Sequence, residues 1–386
     1  MNKSSLMTAL TFDRSREAWS SSKGLVKERV PIPTLCAHDR DMAIVQVKIA
    51  GFCGSDRGIW YRKAFGDMIH SSLDEELANK RIVGHEFLGQ VIEVGGDVTR
   101  IRPGDMVAAE SHIVCEQCLQ CLNGELHVCA RDKIIGISHD GCFAEYLKIP
   151  ARCLWPTNIK KIRPEVAAVQ EPFGNAVHAC QAADMRGKNV AIIGCGTIGL
   201  FAILIAKGLG ANKVYGVEVD PHHIDLAQKL GCDEVLTPNL PPKDKSWIAD
   251  PELVEAIMER TNGLGVDVAL EMVGINSSLN NAIKCTRRGG HVVMFGLRNG
   301  DMQIQDYHRV VMNGLQLHGV VGRRIFDTWK ITSRLLEDKK NGIQDKIFNI
   351  ILNKGEGVMT HIDDWTQGQF EEVINTHPKP LICFSE

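Results

Sequence analysis

The run NVAIIGCGTIGLFAILIAKGLGANKVYGVEVD at 189–220 decides the fold. NVAIIG at 189–194 reads as a buried strand, TIGLFAILIAKGLG at 197–210 as a helix closed by glycine, and KVYGVEVD at 213–220 as a second buried strand. Strand, helix, strand implies a parallel pair with the helix on one face. The alternation continues through PHHIDLAQKLG at 221–231, where Pro221 suits the first helical position behind an Asp220 cap. GVDVALEMVG at 265–274 and HVVMFGL at 291–297 add further strands. TPNLPPKDKSWIADPEL at 237–253, with four prolines, reads as a surface loop before the helix LVEAIMER. Residues 176–323 are therefore expected to form a doubly wound α/β domain.

Between the first strand and helix lies GCGTIG, the context that makes a glycine pattern informative. Gly194 permits the tight turn, Gly196 leaves room for phosphates, and Gly199 lets helix and strand pack, while the helix N-terminus favours negative charge. With Thr197 and Ile198 these residues form the candidate cofactor loop. Glu218 ends the second strand, nineteen residues after Gly199. A carboxylate there accepts hydrogen bonds from both adenosine ribose hydroxyls and repels the extra phosphate of NADP, so NAD is predicted. Protonated His222 and His223 would partly offset that repulsion.

Upstream, residues to about 170 read as short strands separated by glycine and proline turns, as in MAIVQVKIAG at 42–51 and FLGQVIEVGG at 87–96. Within this β-rich lobe CEQCLQCLNGELHVC packs Cys115, Cys118, Cys121 and Cys129 into fifteen residues. That spacing suits a tetrahedral zinc ion, and an all-thiolate shell is closed, hence structural. His127 is the alternative fourth ligand, with Cys129 preferred. Cys36, Cys142, Cys153, Cys180, Cys195, Cys232, Cys285 and Cys383 are read as buried thiols, because a large chain without a signal peptide has little use for disulfides.

The chain has 386 residues, 44% hydrophobic and 24% charged, with a net charge of -3. This is enough for two cores, and it offers neither the basic face that nucleic acid needs nor a polybasic lipid signal. MNKSSLMTALTF lacks a signal-peptide core, and no apolar run reaches a membrane span, so a soluble cytoplasmic protein is expected.

Cys53 in GFCGSD follows a strand, and His85-Glu86 in GHEF precedes one. Thiolate, imidazole and carboxylate are a plausible zinc set, although a buried cysteine or a hydrogen-bonded histidine is the commoner role for either alone. GHE at 84–86, the four-cysteine loop and GCGTIG, in this order, resemble the zinc-containing medium-chain alcohol dehydrogenases over nearly the whole chain. GCFAEYLKIP at 141–150, EPFGNAVHA at 171–179 and GRRIFDTW at 322–329 are most like the threonine-oxidising branch of that family. The resemblance implies a β-rich, GroES-like catalytic domain (1–175, with 324–386 returning to it), a Rossmann domain (176–323), and a second, catalytic zinc in the cleft between them. It makes Cys53, His85 and Glu86 ligands of that zinc, with Glu171 a nearby carboxylate that enters the shell or orients bound water. It further implies that zinc acidifies a substrate hydroxyl and NAD accepts the hydride.

In this family a hydroxyl two residues after the zinc cysteine relays the proton toward a histidine five residues after it. Ser55 matches the hydroxyl, but the histidine position is Gly58. Water filling the space left by glycine, or another acceptor, must replace it; Asp56 and Arg57 are adjacent. Residues 65–80, FGDMIHSSLDEELANK, are an insertion relative to the threonine-oxidising branch. Arg57, Gly58 and this insertion favour a polyol or sugar dehydrogenase as the second reading. A dinucleotide-binding protein without turnover, serving as a redox sensor or a structural protein, is the alternative of another class. The expected partners are a small alcohol substrate and further copies of the chain, as a dimer or tetramer.

Overall fold

Six strands, Asn189–Ile193, Lys213–Val217, Glu234–Leu236, Val266–Glu271, Thr286–Met294 and Gln316–Gly319, are numbered β1 to β6. Every neighbouring pair is parallel and the order across the sheet is β3-β2-β1-β4-β5-β6. The order reverses direction between β1 and β4, so the loop after β1 stands at the switch point where open α/β sheets bind ligands. The central strands are buried on both faces, which is why they read as apolar runs without alternation. Asp220 caps the helix Pro221–Leu230, accepting from the amides of His222 and His223 at 2.8 and 3.3 Å. The helix after the proline-rich stretch starts earlier than its apolar pattern suggests, at Pro251, because Asp250 caps it through the Glu252 amide.

This computed structural model describes residues 5–14, 19, 22–297 and 300–384, and it divides into two units. Residues 173–323 form the unit just described; residues 1–172 and 324–386 form the other. The fold is a GroES-like β-rich domain plus a Rossmann domain. In the β-rich unit the strand Met42–Gly51 pairs antiparallel with Glu86–Val94, Tyr146–Pro150 and the C-terminal Leu381–Cys383. Register then sets the site. Gly51 lies opposite both Glu86 and Leu381, so Cys53, Glu86 and Lys379 converge at one end of the central strand.

The inserted segment forms the helix Gly66–Glu75, with Ile69 and Leu73 in the core. Arg81, fully buried, ties it down through Ser72 Oγ at 3.1 Å and Glu76 at 2.8 Å, and also reaches Asp140 at 3.0 Å. Among the described residues no cysteine forms a disulfide. Cys36 is exposed and Cys383 half-buried, so they depart from the buried role expected of them; Cys36 sits in a polar turn where Asp39 accepts from its amide. No helix among the described residues is long and apolar enough to cross a membrane.

Candidate metal centres and dinucleotide loop

The ligand atoms of Cys53, His85 and Glu86 lie within 4.8 Å of one another, and His85 and Glu86 are buried. Cys53 caps the short helix Gly54–Trp60, whose Asp56 accepts from the Cys53 amide at 2.9 Å. The other Asp56 oxygen stands 3.5 Å from His85 Nδ1, and Ser55 Oγ stands 3.4 Å from His85 Nε2. Burial alone would lower the His85 pKa, yet Asp56 and Cys53 outweigh it and hold the ring well above its ordinary value. A pocket that draws a proton onto a buried imidazole is one that favours a cation. A metal ion satisfies the same anions, with Asp56 orienting the ring from behind. The donor set therefore fits zinc.

Sequence reasoning missed Lys379. Its ammonium donates to both Glu86 oxygens at 2.8 and 2.7 Å and to the Phe52 carbonyl at 3.1 Å, and both side chains are buried. Burial raises the Glu86 carboxyl despite the pull of Lys379. Against its own burial, Lys379 is kept above its usual value by Glu86, Cys53 and Glu171. The available signal was a lysine between prolines, PKP, leading into an apolar strand. Gly51 makes room for this pair, since a Cβ there would meet Glu86 Oε2 at 2.3 Å. Glu171, in the first turn of the helix Gln170–Gln181, is buried and accepts from Ser111 Oγ at 2.8 Å.

At Gly58 the space is not left for water. A Cβ on Gly58 would stand 2.9 Å from the Ala64 methyl, and the Gly58 carbonyl accepts from the Lys63 amide at 2.8 Å, folding the chain back over it. Arg57 points elsewhere, donating to the Ile374 carbonyl and Asn375. Gly58→Ala is expected to cost about 1–3 kcal/mol by overpacking, and Gly58→His to lower the melting temperature without raising turnover. Adding Ala64→Gly should recover the melting temperature, as read by calorimetry.

The four-cysteine loop brings together Cys115, Cys118, Cys121 and Cys129, with His127 outside the set. Cys118 Sγ is 3.5 Å from Cys121 Sγ and 3.8 Å from Cys129 Sγ. A tetrahedral ion with Zn–S near 2.3 Å spaces its sulfurs about 3.8 Å apart. The amides of Cys118 and Arg131 donate to Cys115 and Cys129 sulfurs, respectively. Backbone amides, that of Gln117 foremost, hold the Cys115 thiol down to about 6, while burial pushes Cys121 up to about 12.

In the other unit, Gly194 has φ +95°, a Cβ on Gly199 would meet the Gly194 carbonyl at 2.0 Å, and a Cβ on Gly196 would meet nothing within 4 Å. Turn, close packing and open approach thus fall on the three glycines at the start of the helix Thr197–Gly208. Glu218 accepts from the Cys195 amide at 2.8 Å and from the Val219 and Asp220 amides at 2.7 and 3.0 Å. Burial raises its carboxyl, but His223 and these amides prevail and hold it at about 2. It remains a carboxylate through the neutral range. The stability this contributes is present above about 4.5 and is lost as pH falls toward about 2.

Residues 39–159 match the alcohol dehydrogenase GroES-like domain and residues 197–338 the zinc-binding dehydrogenase family. An L-threonine 3-dehydrogenase from Caldanaerobacter subterraneus subsp. tengcongensis is 34% identical over 351 residues, covering 90% of this chain and 91% of that protein. The structure of 2R,3R-butanediol dehydrogenase from Bacillus subtilis superposes with a TM-score of 0.78 at 25% identity, covering 98% of this chain and 100% of that one. Galactitol-1-phosphate dehydrogenase from Escherichia coli also gives a TM-score of 0.78, at 23% identity with the same coverage. The likeness runs through both units, and the chain belongs to the zinc-binding alcohol dehydrogenase family of oxidoreductases.

Proposed function

We propose that the protein is an NAD-dependent zinc dehydrogenase that oxidises the secondary alcohol of a small polar substrate, L-threonine being the best single candidate. The observation that carries the substrate is the likeness to an L-threonine 3-dehydrogenase along nine-tenths of the chain. Two zinc ions are assigned per chain, one to Cys115, Cys118, Cys121 and Cys129, the other to Cys53, His85 and Glu86, which the structure brings together, with Glu171, outside that set, as the alternative carboxylate. When bound, the second zinc supplies Lewis acidity to the substrate hydroxyl and NAD accepts the hydride. Asp56 holds the His85 ring, Lys379 balances the Glu86 charge, and the Ser55 hydroxyl beside His85 is the first group to take the substrate proton. Gly194, Gly196, Thr197, Ile198 and Gly199 cradle the pyrophosphate, and Glu218 holds the ribose hydroxyls.

A polyol or sugar is the second reading, favoured by Arg57, Gly58 and the inserted helix. Initial rates of NADH formation decide between them, comparing L-threonine with 2R,3R-butanediol and a series of polyols and sugars. Threonine turnover at least ten times that of any diol, polyol or sugar supports the first reading, and the reverse order overturns it. For the cofactor, Glu218→Ala is expected to lower kcat/KM with NAD by about 10–100-fold, the worth of charged hydrogen bonds, and to raise it with NADP. An unchanged NAD to NADP ratio would remove Glu218 from the ribose site.

A homo-oligomer is also proposed. Strand β6 lies at the edge of its sheet, and Tyr307, Val311 and Met312 are exposed on the adjacent helix Tyr307–Met312. Light scattering should return a multiple of the 42.6 kDa chain mass, and a monomer would refute it.

A further inference from the structure

Ser111 lies between the strands Met106–Ala109 and His112–Ile113. Its hydroxyl, nearly fully buried, donates to Glu171 Oε1 at 2.8 Å. The segment around it is pinned on several sides. The Glu110 amide donates to the Cys153 carbonyl at 2.9 Å, the Glu110 carboxylate accepts from the His112 amide at 3.1 Å and from Trp329 Nε1 at 2.8 Å, and the Ser111 carbonyl accepts from the Ile135 amide at 3.0 Å. A glutamate carboxyl rotates broadly about its last torsion, so a carboxylate at a metal site needs a fixed partner to present one oxygen in one direction.

Glu171 stands outside the set that Cys53, His85 and Glu86 form, as a buried carboxylate that acts electrostatically on both Glu86 and Lys379. We propose that Ser111 is a positioning residue: by engaging Oε1 it sets the plane of the Glu171 carboxylate and so the oxygen that Glu171 offers to the catalytic metal or to the water bound there. This rests on the reading of Glu171 as a carboxylate of the catalytic zinc site. Ser111 itself touches neither metal nor substrate in this account. Removing its hydroxyl should loosen the Glu171 carboxylate, while the backbone hydrogen bonds of the segment remain.

The test compares Ser111→Ala, Ser111→Gly and Glu171→Gln with the unaltered holoenzyme. The readouts are release of zinc to a chelator, the visible spectrum after cobalt replaces the catalytic zinc, kcat and KM, and thermal melting. Loss of the hydroxyl should speed release of the catalytic zinc by about 10-fold or more and shift the cobalt bands, in the Ala and Gly variants alike, with kcat falling more than KM changes. Release of the four-cysteine zinc and the melting temperature should stay constant, which separates positioning from general damage. If only the Gly variant changes, or if zinc release tracks a lowered melting temperature, packing is the cause and the proposal falls. If Glu171→Gln moves both metal readouts while Ser111→Ala moves neither, Ser111 has no positioning role but the Glu171 reading stands. If Glu171→Gln moves neither, Glu171 is outside the metal site and both fall together.

Discussion

Cys53→Ala is expected to lower turnover at least about a thousand-fold while the protein melts within a few degrees of the unaltered enzyme, and Cys118→Ser is expected to do the opposite. The asymmetry follows from where each thiol sits. Cys53 is one of a set of mixed donors at the end of a long central strand whose neighbours make the core without it. Removing it would forfeit the several kcal/mol by which a Lewis acid held there stabilises developing charge, and each 1.4 kcal/mol is a factor of ten. Cys118 belongs to a lobe whose buried apolar residues are few: Val114, Cys121 and Cys129, with Leu126 and Ile325 packed against them. There a bound metal would take the place of a core, and losing it should lower the melting temperature by about 10 °C. Zinc analysis and calorimetry on both variants check this. A Cys53→Ala protein that turns over normally would defeat the catalytic assignment, and a Cys118→Ser protein that keeps both its zinc and its melting temperature would defeat the structural one.

Local signals carried the doubly wound unit, because a parallel sheet writes itself into the chain as apolar runs broken by capped helices. Asp220, Pro221 and Gly231 punctuate one helix as its residue types alone indicate. The four-cysteine loop and the glycine loop were legible for the same reason: their functional atoms lie within a few residues of each other. Groups that depend on long-range register were not. Lys379 meets Glu86 across 293 residues because Leu381–Cys383 pairs with Met42–Gly51, and nothing near Glu86 announces it. Ala64 against Gly58 was hidden for a different reason. The glycine was visible as a missing side chain, but only the return of the chain after Trp60 shows that a neighbour already fills the place. The start of the helix at Pro251 was obscured because proline reads first as a breaker and only with its Asp250 cap as an opener.

Lys379→Met should destabilise the protein by about 3–5 kcal/mol, the cost of leaving one member of a buried ion pair without its partner. Glu86 keeps its place at the head of its strand, under Gly51, so its carboxylate cannot turn to solvent when the ammonium is gone. Its pKa, already lifted by burial, would lose the pull of the nearest cation and rise further, so part of the population would fold with Glu86 protonated. Destabilisation should therefore be greatest at high pH and ease as pH falls, the direction expected when the folded state takes up a proton that the unfolded state lacks. In the unaltered protein the raised Lys379 pKa acts in the alkaline range: its contribution is complete below about 10.5 and is lost as pH climbs through the higher folded value. The double variant Glu86→Gln/Lys379→Met removes both charges and should recover much of the loss, since exchanging a whole buried pair is far milder than breaking it. Urea unfolding of the two single variants and the double variant, at pH 6 and pH 9, measures the coupling. Additive losses would mean that the two side chains, though 2.7 Å apart, do not depend on each other for stability.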